Sequence, residues 1–270
     1  MFVVVEDGMI NRSHVMSVVV ITAFLYIFVF LFGIVIGSFL NVCIYRIPLK
    51  ESIVFPHSHC MTCGYQLRWY DLVPLFSFLF LRGRCRKCHT KLSLQYPLVE
   101  GMNGALYVIV FLANGWNYMS VVYCLLTSAL IVLSILDFRT MEIADGINLF
   151  ILLLGIAATL LDLHAWKDHV VGMFSVSVFL LVIYLITVGR GIGGGDIKLM
   201  FGAGLLLGWK GAVLAFFLGC IIGSVIHLIR MAVSHAEHRL ALGPYLSVGI
   251  WFTALWGTPL IDWYIGMIKM

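Results

Sequence analysis

Three aspartates stand where apolar stretches of the chain end, at positions where a membrane protein rarely keeps a carboxylate without a use. Asp137 closes one stretch in SILDFRT, Asp145 opens the next, and Asp196 lies in GIGGGDIKLM between two more. Ionisable groups at such borders are costly and usually serve catalysis or transport. Two carboxylates held close together share one proton, so one can activate water while the other protonates a leaving group.

The glycines before Asp196 suit a peptide substrate. Because Gly191, Gly193, Gly194 and Gly195 have no side chain, the backbone can adopt positive φ and approach another backbone closely. We therefore expect a peptide emerging from the bilayer to lie along this segment while Asp196 reaches its scissile bond. Glycine-rich breaks also serve as hinges or packing faces in transporters, so a polytopic transporter with Gly-broken helices remains the alternative.

Four cysteines form a second chemical group. The motifs CMTCG and CRKC place Cys60 with Cys63 and Cys85 with Cys88 in two C-x2-C pairs. Each pair can turn both sulfurs toward one ion, and four thiolates complete a closed tetrahedral zinc site, which would be structural because no coordination position stays open. Disulfides are the alternative, and a reducing cytoplasmic location would disfavour them.

The elements that carry these groups are membrane helices. The 270 residues are 62% hydrophobic and 11% charged, with a mean hydropathy of +1.04, which predicts an all-α polytopic membrane protein. A crossing helix needs about 20 apolar residues, and we expect about eight transmembrane helices. The predicted spans are 16–37, 98–113, 120–136, 146–162, 170–188, 197–208, 211–229 and 244–262. The sixth is short, so a half-helix or a kinked pair with the seventh stays open.

Basic residues predict the orientation and the domains. Lysines and arginines concentrate between the first two spans, which places that stretch and all three aspartates at the cytoplasmic side. The net charge of +4 then indicates contact with anionic membrane lipids rather than with nucleic acid. We predict an N-terminal tail and uncleaved first anchor over 1–39, a cytoplasmic four-cysteine zinc insert over 40–97, and a membrane-embedded aspartic peptidase core over 98–270.

The motifs together resemble those of the type IV prepilin peptidases. The resemblance rests on GSFLNVCIYRIP, the paired C-x2-C motifs, YPLVEG, LDFRTMEIAD, GIGGGDIKLM and ALGPYLSVGIW, which span nearly the whole chain. It implies a membrane aspartic protease of the GxGD type in the bacterial inner membrane, with its active site facing the cytoplasm. It also implies that the enzyme removes the short basic leader of type IV prepilins and type II secretion pseudopilins after a glycine. Finally, it implies N-methylation of the new terminus with S-adenosylmethionine.

Carried over to this chain, the resemblance assigns the catalytic pair to Asp137 and Asp196. The zinc ligands fall on Cys60, Cys63, Cys85 and Cys88. From their places at membrane borders or beside Asp196, and not from the resemblance, we expect supporting or substrate-binding roles for Gly193, Gly195, Lys198, Asp145, Asn41 and Glu100. Asp145 is alternatively the N-cap of the fourth span, because an aspartate there can accept hydrogen bonds from free backbone N–H groups.

Three positions depart from the pattern of that family, at Gln95, Ala144 and Gly194. They bear on substrate fit and on methyl transfer rather than on the catalytic carboxylates. A third reading is a non-catalytic assembly factor of a pilus or secretion machine, which would use the insert as its docking surface. The particular prepilin and the oligomeric state stay open.

Overall fold

A computed structural model describes residues 12–234 and 241–268, and the part it describes is helical. The first eleven residues of the expected N-terminal tail lie outside the described residues. The α-helices are α1 (Arg12–Arg46), α2 (Phe76–Phe80), α3 (Gln95–Asn114), α4 (Tyr118–Thr140), α5 (Asp145–Leu161), α6 (Trp166–Ile186), α7 (Gly194–Ser234) and α8 (Gly243–Ile268). Short 3-10 turns lie at Trp69–Asp71 and Leu163–Ala165.

Five stretches of these helices are long and apolar enough to cross a membrane. They are Met16–Arg46, Gln95–Asn114, Tyr118–Thr140, Leu163–Ile186 and Gly194–Val233, and Asp145–Leu161 is a shorter apolar helix. The protein is therefore a multi-pass membrane protein, as expected from its composition. Eight separate crossings are not confirmed, because the sixth and seventh predicted spans belong to one element, α7, and α8 is not among the five.

Helix α7 is broken rather than straight. Its 41 residues would reach about 60 Å as one rod, twice the thickness of a hydrocarbon core. Gly208 has φ 73° and ψ 172° and interrupts the helix. The second arm packs antiparallel to α8. A Cβ at Gly211 would lie 3.5 Å from Thr253, and one at Gly219 would lie 3.0 Å from the Cα of Leu246.

Helices α1 and α3 approach each other closely through small residues. A Cβ at Gly33 would lie 2.7 Å from the Cα of Gly104. The Asn103 side chain donates to the carbonyl of Gly33 at 2.7 Å and accepts from the Ser128 hydroxyl of α4 at 3.0 Å. Polar groups that cannot reach water are thus paired across helices, and this ladder joins α1, α3 and α4.

Helix α4 lies in the middle of the molecule. Its side chains contribute to both hydrophobic clusters, one formed mainly with α5, α7 and α8 and the other with α1 and α3. Leu126 and Leu133 are fully buried. Because α4 is held from all sides, the residues at its end, Asp137 among them, have a fixed position.

The segment between α1 and α3, residues 47–94, lies outside the long helices. It contains α2, one 3-10 turn and two isolated antiparallel bridges, His59 with Gln66 and Arg84 with Lys91. Its link to α3 is a hydrogen bond of 2.8 Å from the backbone N–H of Leu75 to Oε2 of Glu100.

Candidate active site and metal centre

Asp137 lies in the last turn of α4 and is 5% exposed. Its Oδ2 accepts a hydrogen bond of 2.8 Å from the backbone N–H of Gly243, the first residue of α8. Free N–H groups at a helix start carry partial positive charge and stabilise a carboxylate. The start of α8 therefore holds one oxygen of Asp137 in place.

Asp196 is the third residue of α7 and is 8% exposed. Its Oδ1 is buried and has no hydrogen-bond partner among the described residues. A Cβ at Gly193 would lie 3.1 Å from its Oδ2, so the missing side chain leaves room for the carboxylate. One oxygen of Asp196 is thus buried and unpartnered among the described residues.

The structure brings the two predicted catalytic carboxylates together. Asp137 and Asp196 come from different helices, and their side chains are close enough for their charges to interact. A Cβ at Gly195 would lie 2.9 Å from the Cβ of Ile143. This close contact holds the start of α7 against the loop that follows α4, and so brings the two helix ends to one place.

The expectation of positive φ in the glycine segment is wrong. Neither Gly191, Gly193, Gly194 nor Gly195 has φ between +20° and +160°; the nearest glycine that does is Gly189, at φ 72°. Small size explains the sequence instead, because Gly193 leaves space for Asp196 and Gly195 packs against Ile143. Gly194 has open space around it, so nothing in the structure restricts the side chain at that departure from the family pattern.

The alternative reading of Asp145 as an N-cap is wrong. The N-cap of α5 is Ala144, which has no side-chain cap, and Asp145 is the first helical residue. The Asp145 carboxylate accepts from Nζ of Lys198 at 2.6 Å, and both side chains are exposed. Lys198 lies two residues after Asp196, so this ion pair joins the start of α5 to the start of α7 beside the candidate site.

Asn41 and Glu100 lie away from the aspartates, between α1 and α3. Asn41 donates to the carbonyl of Tyr96 at 3.2 Å and accepts from the Gln95 side chain at 3.3 Å. Gln95 in turn accepts a hydrogen bond from Arg139, two residues beyond Asp137. Asn41 is therefore linked to the end of α4 through Gln95, one of the departures from the family pattern.

The four cysteines of the two motifs meet in the insert. Their Sγ atoms all lie within 4.8 Å of one another, and the Sγ atoms of Cys60 and Cys88 are 3.8 Å apart. Four thiolates at about 2.3 Å from one zinc would have Sγ atoms about 3.8 Å apart, so the donor set fits tetrahedral zinc. None of the seven cysteines is in a disulfide.

The two C-x2-C motifs have the same backbone form. In the first, Cys60 N–H donates to the carbonyl of Tyr65 at 2.9 Å, and in the second Cys85 N–H donates to that of Thr90 at 2.9 Å. The residue after each motif has positive φ, 67° at Gly64 and 57° at His89. Each motif is therefore a tight hairpin that turns both sulfurs the same way.

The surroundings of the cluster shift the pKa values of two of its four thiols in opposite directions. Hydrogen bonding to the side chain and backbone of Thr90 lowers the pKa of Cys88 to about 6. Although the backbone of Tyr65 favours the Cys63 thiolate, desolvation and the neighbouring thiols raise the pKa of Cys63 to about 11. Four thiolates repel one another, and a bound cation is what would stabilise them together.

An ion pair stiffens the insert beside the cysteines. Nε of Arg86, in the second C-x2-C motif, donates to Oδ1 of Asp71 at 2.6 Å. Burial alone would raise the pKa of Asp71, but hydrogen bonds from Arg86 and from the backbone of Arg68, with the Arg86 charge, hold this pKa below its usual value. Asp71 therefore ties the middle of the insert to the second cysteine motif.

Sequence reasoning missed one component of the site, the backbone N–H of Gly243. A signal was present, because Pro244 follows it and proline is favoured in the first turn of a helix. The dipeptide thus indicates a helix start. That this start meets Asp137, more than a hundred residues away, follows only from the packing of α8 on α4.

The chain was compared with proteins of known family. Proteins called prepilin leader peptidase/N-methyltransferase are similar over most of the chain. The protein of Aeromonas salmonicida (strain A449) is 32% identical over 274 residues, covering 89% of this chain and 94% of its own. That of Bacillus subtilis (strain 168) is 34% identical over 241 residues, covering 88% and 97%. That of Neisseria gonorrhoeae is 32% identical over 267 residues, covering 86% and 92%.

Family models match both halves of the chain. The Bacterial Peptidase A24 N-terminal domain matches residues 31–114, and the Type IV leader peptidase family matches residues 124–228. The chain belongs to the type IV leader peptidase family. The first match includes the cysteine motifs and the second includes Asp137 and Asp196, so the peptidase class expected from the sequence is confirmed. A comparison with solved structures found no match.

Proposed function

We propose that Asp137 and Asp196 are the catalytic dyad of this peptidase. The observation that carries the proposal is their proximity: two buried carboxylates, one near the end of α4 and one near the start of α7, lie close enough for their charges to interact. Burying two such groups together is costly. That cost is understandable if the pair performs acid–base chemistry on a peptide bond.

The surroundings suggest how the two aspartates divide the work. Asp137 accepts from the Gly243 N–H and so acts as the base, removing a proton from water while the water oxygen attacks the scissile carbonyl carbon. Asp196, with its unpartnered Oδ1, donates a proton to the carbonyl oxygen. When the tetrahedral intermediate collapses, the proton held by Asp137 passes to the leaving nitrogen and Asp196 regains its own.

The substrate class follows from the relatives, which are named for prepilin leaders. We propose that the chain cleaves the short basic leader of type IV prepilins or type II secretion pseudopilins after a glycine. Gly191, Gly193 and Gly194 are exposed beside Asp196, so an extended peptide can approach the carboxylate there without meeting side chains. Gly193, Gly195 and Lys198 would then support the site by leaving space, packing and pairing with Asp145.

Purified protein in detergent tests this proposal when it is incubated with a candidate prepilin and the product termini are read by mass spectrometry. The wild-type chain should release the leader at one bond. Asparagine has the size of aspartate but cannot exchange the proton, so Asp137→Asn and Asp196→Asn should each abolish cleavage. The double variant should be no worse than either single one, since residues that act as a unit fail together. Full activity in Asp196→Asn would end the dyad proposal.

The four cysteines would hold a structural zinc. Four sulfur ligands leave no open coordination position. The insert contacts α3 through Glu100, whereas the two aspartates belong to α4 and α7. The metal would supply no chemistry to the peptide bond. Its contribution would be to hold the two C-x2-C hairpins together in a segment too small for a large apolar core.

Methylation of the new N-terminus with S-adenosylmethionine rests on the names of the relatives. Two cavities in the insert, of about 280 and 470 Å³, are lined without any carboxylate. A carboxylate is the group that would bind ribose hydroxyls or balance the positive sulfonium. The residues lining these cavities therefore do not fit the methyl donor, and we assign it no residue.

Two other functions fit the structure less well. A transporter needs its carboxylates near the bilayer midplane, whereas Asp137 lies four residues from the end of α4 and Asp196 three from the start of α7. An assembly factor would not need two buried carboxylates to meet. It would also keep its function in both asparagine variants, so the cleavage assay and a secretion or piliation assay together separate the three.

We further propose that the enzyme lies in the bacterial inner membrane with the aspartates at the cytoplasmic face. The basic residues of the insert favour that orientation. With the two arms of α7 counted separately, and with α5 and α8 included, the helices provide eight crossings. The expected division into an anchor, a zinc insert and a membrane-embedded peptidase core is part of the same proposal, with the irregular segment limited to residues 47–94.

A further inference from the structure

The insert carries a basic cavity beside an exposed apolar helix. The cavity has a volume of about 470 Å³. Arg82, Arg84, Arg86 and His89 line it, Phe80 borders it, and no acidic side chain is among its described lining residues. Arg86 is already paired with Asp71 at 2.6 Å, whereas Arg82 and Arg84 form no ion pair with any carboxylate in the described ranges.

The neighbouring helix α2 presents large apolar side chains to its surroundings. Phe76, Leu79 and Phe80 are 50%, 71% and 84% exposed. In water such a group of side chains would be unfavourable. At the edge of a bilayer, the same side chains lie at the boundary between headgroups and acyl chains and are stabilised by it.

The connection to α3 places α2 at that edge. The Leu75 N–H, immediately before α2, donates to Glu100, and Glu100 lies in the second turn of α3, one of the helices long and apolar enough to cross the membrane. Helix α2 therefore begins beside the end of a span. Its exposed side chains therefore lie beside the end of a helix that is long and apolar enough to enter the bilayer.

The apolar and basic groups are fixed relative to each other. Gly83, between α2 and the second cysteine motif, has φ 67°, and a Cβ on it would lie 2.9 Å from the Phe78 ring. Arg84 is held in a bridge with Lys91. The Arg86 guanidinium lies 4.9 Å from the centre of the Tyr70 ring. The cavity is thus preorganised, which lowers the entropic cost of binding a ligand.

We propose that this cavity binds the phosphate of an anionic phospholipid while α2 rests in the same leaflet. Arginine forms paired hydrogen bonds with phosphate oxygens, and the cavity offers an excess of positive charge next to side chains suited to the start of the acyl chains. A free phosphate ion would use the same arginines. It would gain nothing from Phe76, Leu79 and Phe80, so the structure favours the lipid.

Native mass spectrometry of the zinc-loaded protein in detergent tests the proposal. Phosphatidylglycerol, phosphatidylcholine of the same chain length, and inorganic phosphate are added in separate arms. The protein should retain phosphatidylglycerol in preference to both others. The double variant Arg82→Gln, Arg84→Gln should bind it about 30-fold more weakly, from about 1 kcal/mol for each basic residue near anionic lipid.

The control is the pair Lys87→Gln, Lys91→Gln, which removes the same charge from the same part of the insert but from residues that do not line the cavity. It should keep most of the lipid binding. An equal loss of lipid binding in the two double variants would overturn the proposal and indicate a non-specific electrostatic attraction. Equal retention of phosphatidylglycerol and phosphatidylcholine would also overturn it, as would binding of inorganic phosphate as strong as that of phosphatidylglycerol. The double arginine variant could fail to retain zinc, so two single variants outside the C-x2-C hairpins, Arg82→Gln and Phe80→Asn, are measured as well. Each should weaken lipid binding, and unchanged binding in both would overturn the proposal.

Discussion

Gly243 shows how a residue with no side chain can help to build the proposed catalytic site. Its N–H donates to Asp137, and a Cβ at this position would lie only 2.6 Å from Oδ2 of that aspartate. The contact requires both the free N–H of a helix start and the absence of a methyl group. The carboxylate that we propose as the base is thereby held within a narrow range of positions.

We therefore expect Gly243→Ala to reduce leader cleavage sharply while the protein still folds. The added methyl displaces the Asp137 carboxylate, and a shift of about 1 Å at a reacting group can cost about 100-fold in rate. Gly266→Ala, in the same helix with open space around its Cβ, is the control. The measurement is the initial rate of cleavage at matched protein, and equal rates in the two variants would contradict this role of Gly243.

The ion pair between Asp145 and Lys198 should matter much less. Both side chains are exposed, and such pairs contribute at most about 1 kcal/mol. Asp145→Asn and Lys198→Gln should therefore each change the cleavage rate only a few-fold, and the double variant should resemble the single ones. An inactive Asp145→Asn beside an active Asp137→Asn would instead make Asp145 the partner of Asp196.

At this scale the sequence predicts residue types better than contacts. The cost of a carboxylate at a membrane border is a property of that residue and its neighbours along the chain, so Asp137 and Asp196 stand out from the order of residues alone. The hydrogen bond from Gly243 and the link from Asn41 through Gln95 to Arg139 depend on which helices become neighbours. The glycines next to Asp196 do not have the positive φ that their type allows; the structure instead shows the space left at Gly193 and the close packing at Gly195.

At the scale of elements, the insert is a pair of hairpins and not a folded core. Each C-x2-C motif is closed by its own backbone hydrogen bonds, so local spacing was enough to predict the cluster of four sulfurs. What spacing could not predict is the support around it. The ion pair of Arg86 with Asp71 and the contact of Leu75 with Glu100 join segments that are distant in sequence.

Metal analysis should find about one zinc per chain. Cys60→Ser and Cys88→Ser should each lose the metal, because three thiolates and a hydroxyl bind it far more weakly. Cys220→Ser, which replaces a half-buried cysteine outside the cluster, should keep it. Folded, fully active protein that was purified without chelator and contains no metal would contradict the structural zinc.

Over the whole molecule, the residues of the candidate site come from the long helices and none comes from the insert. Asp137, Asp196 and Gly243 belong to α4, α7 and α8, whereas the cysteines are carried between α1 and α3. Helix α4 joins the two parts, since it contacts α3 through Ser128 and α8 through Thr127. Hydropathy predicted nearly all of these helices, because each is long and apolar. It could not show that two of the predicted spans share one element.

The number of crossings is decided by the break at Gly208. If α7 returns at this residue, its second arm runs back past Tyr245, whose side chain lies 3.3 Å from the position of a Cβ on Gly223, toward the side of the molecule that holds Gly243 and Asp137. Both ends of α7 would then be at the same face of the membrane, as the antiparallel packing of the second arm on α8 requires. A single crossing by α7 would separate its two ends and leave Asp196 far from the start of α8.

Reporter fusions distinguish these two arrangements. Alkaline phosphatase is active only outside the cytoplasm, and green fluorescent protein serves as its cytoplasmic counterpart. A phosphatase fused after Lys210, just beyond the break, should be active, and one fused after Val233, near the end of the second arm, should be inactive. The fluorescent fusions should show the opposite pattern. An active phosphatase after Val233 would mean that α7 crosses once, and then Asp196 and the end of α7 would lie on opposite faces of the membrane.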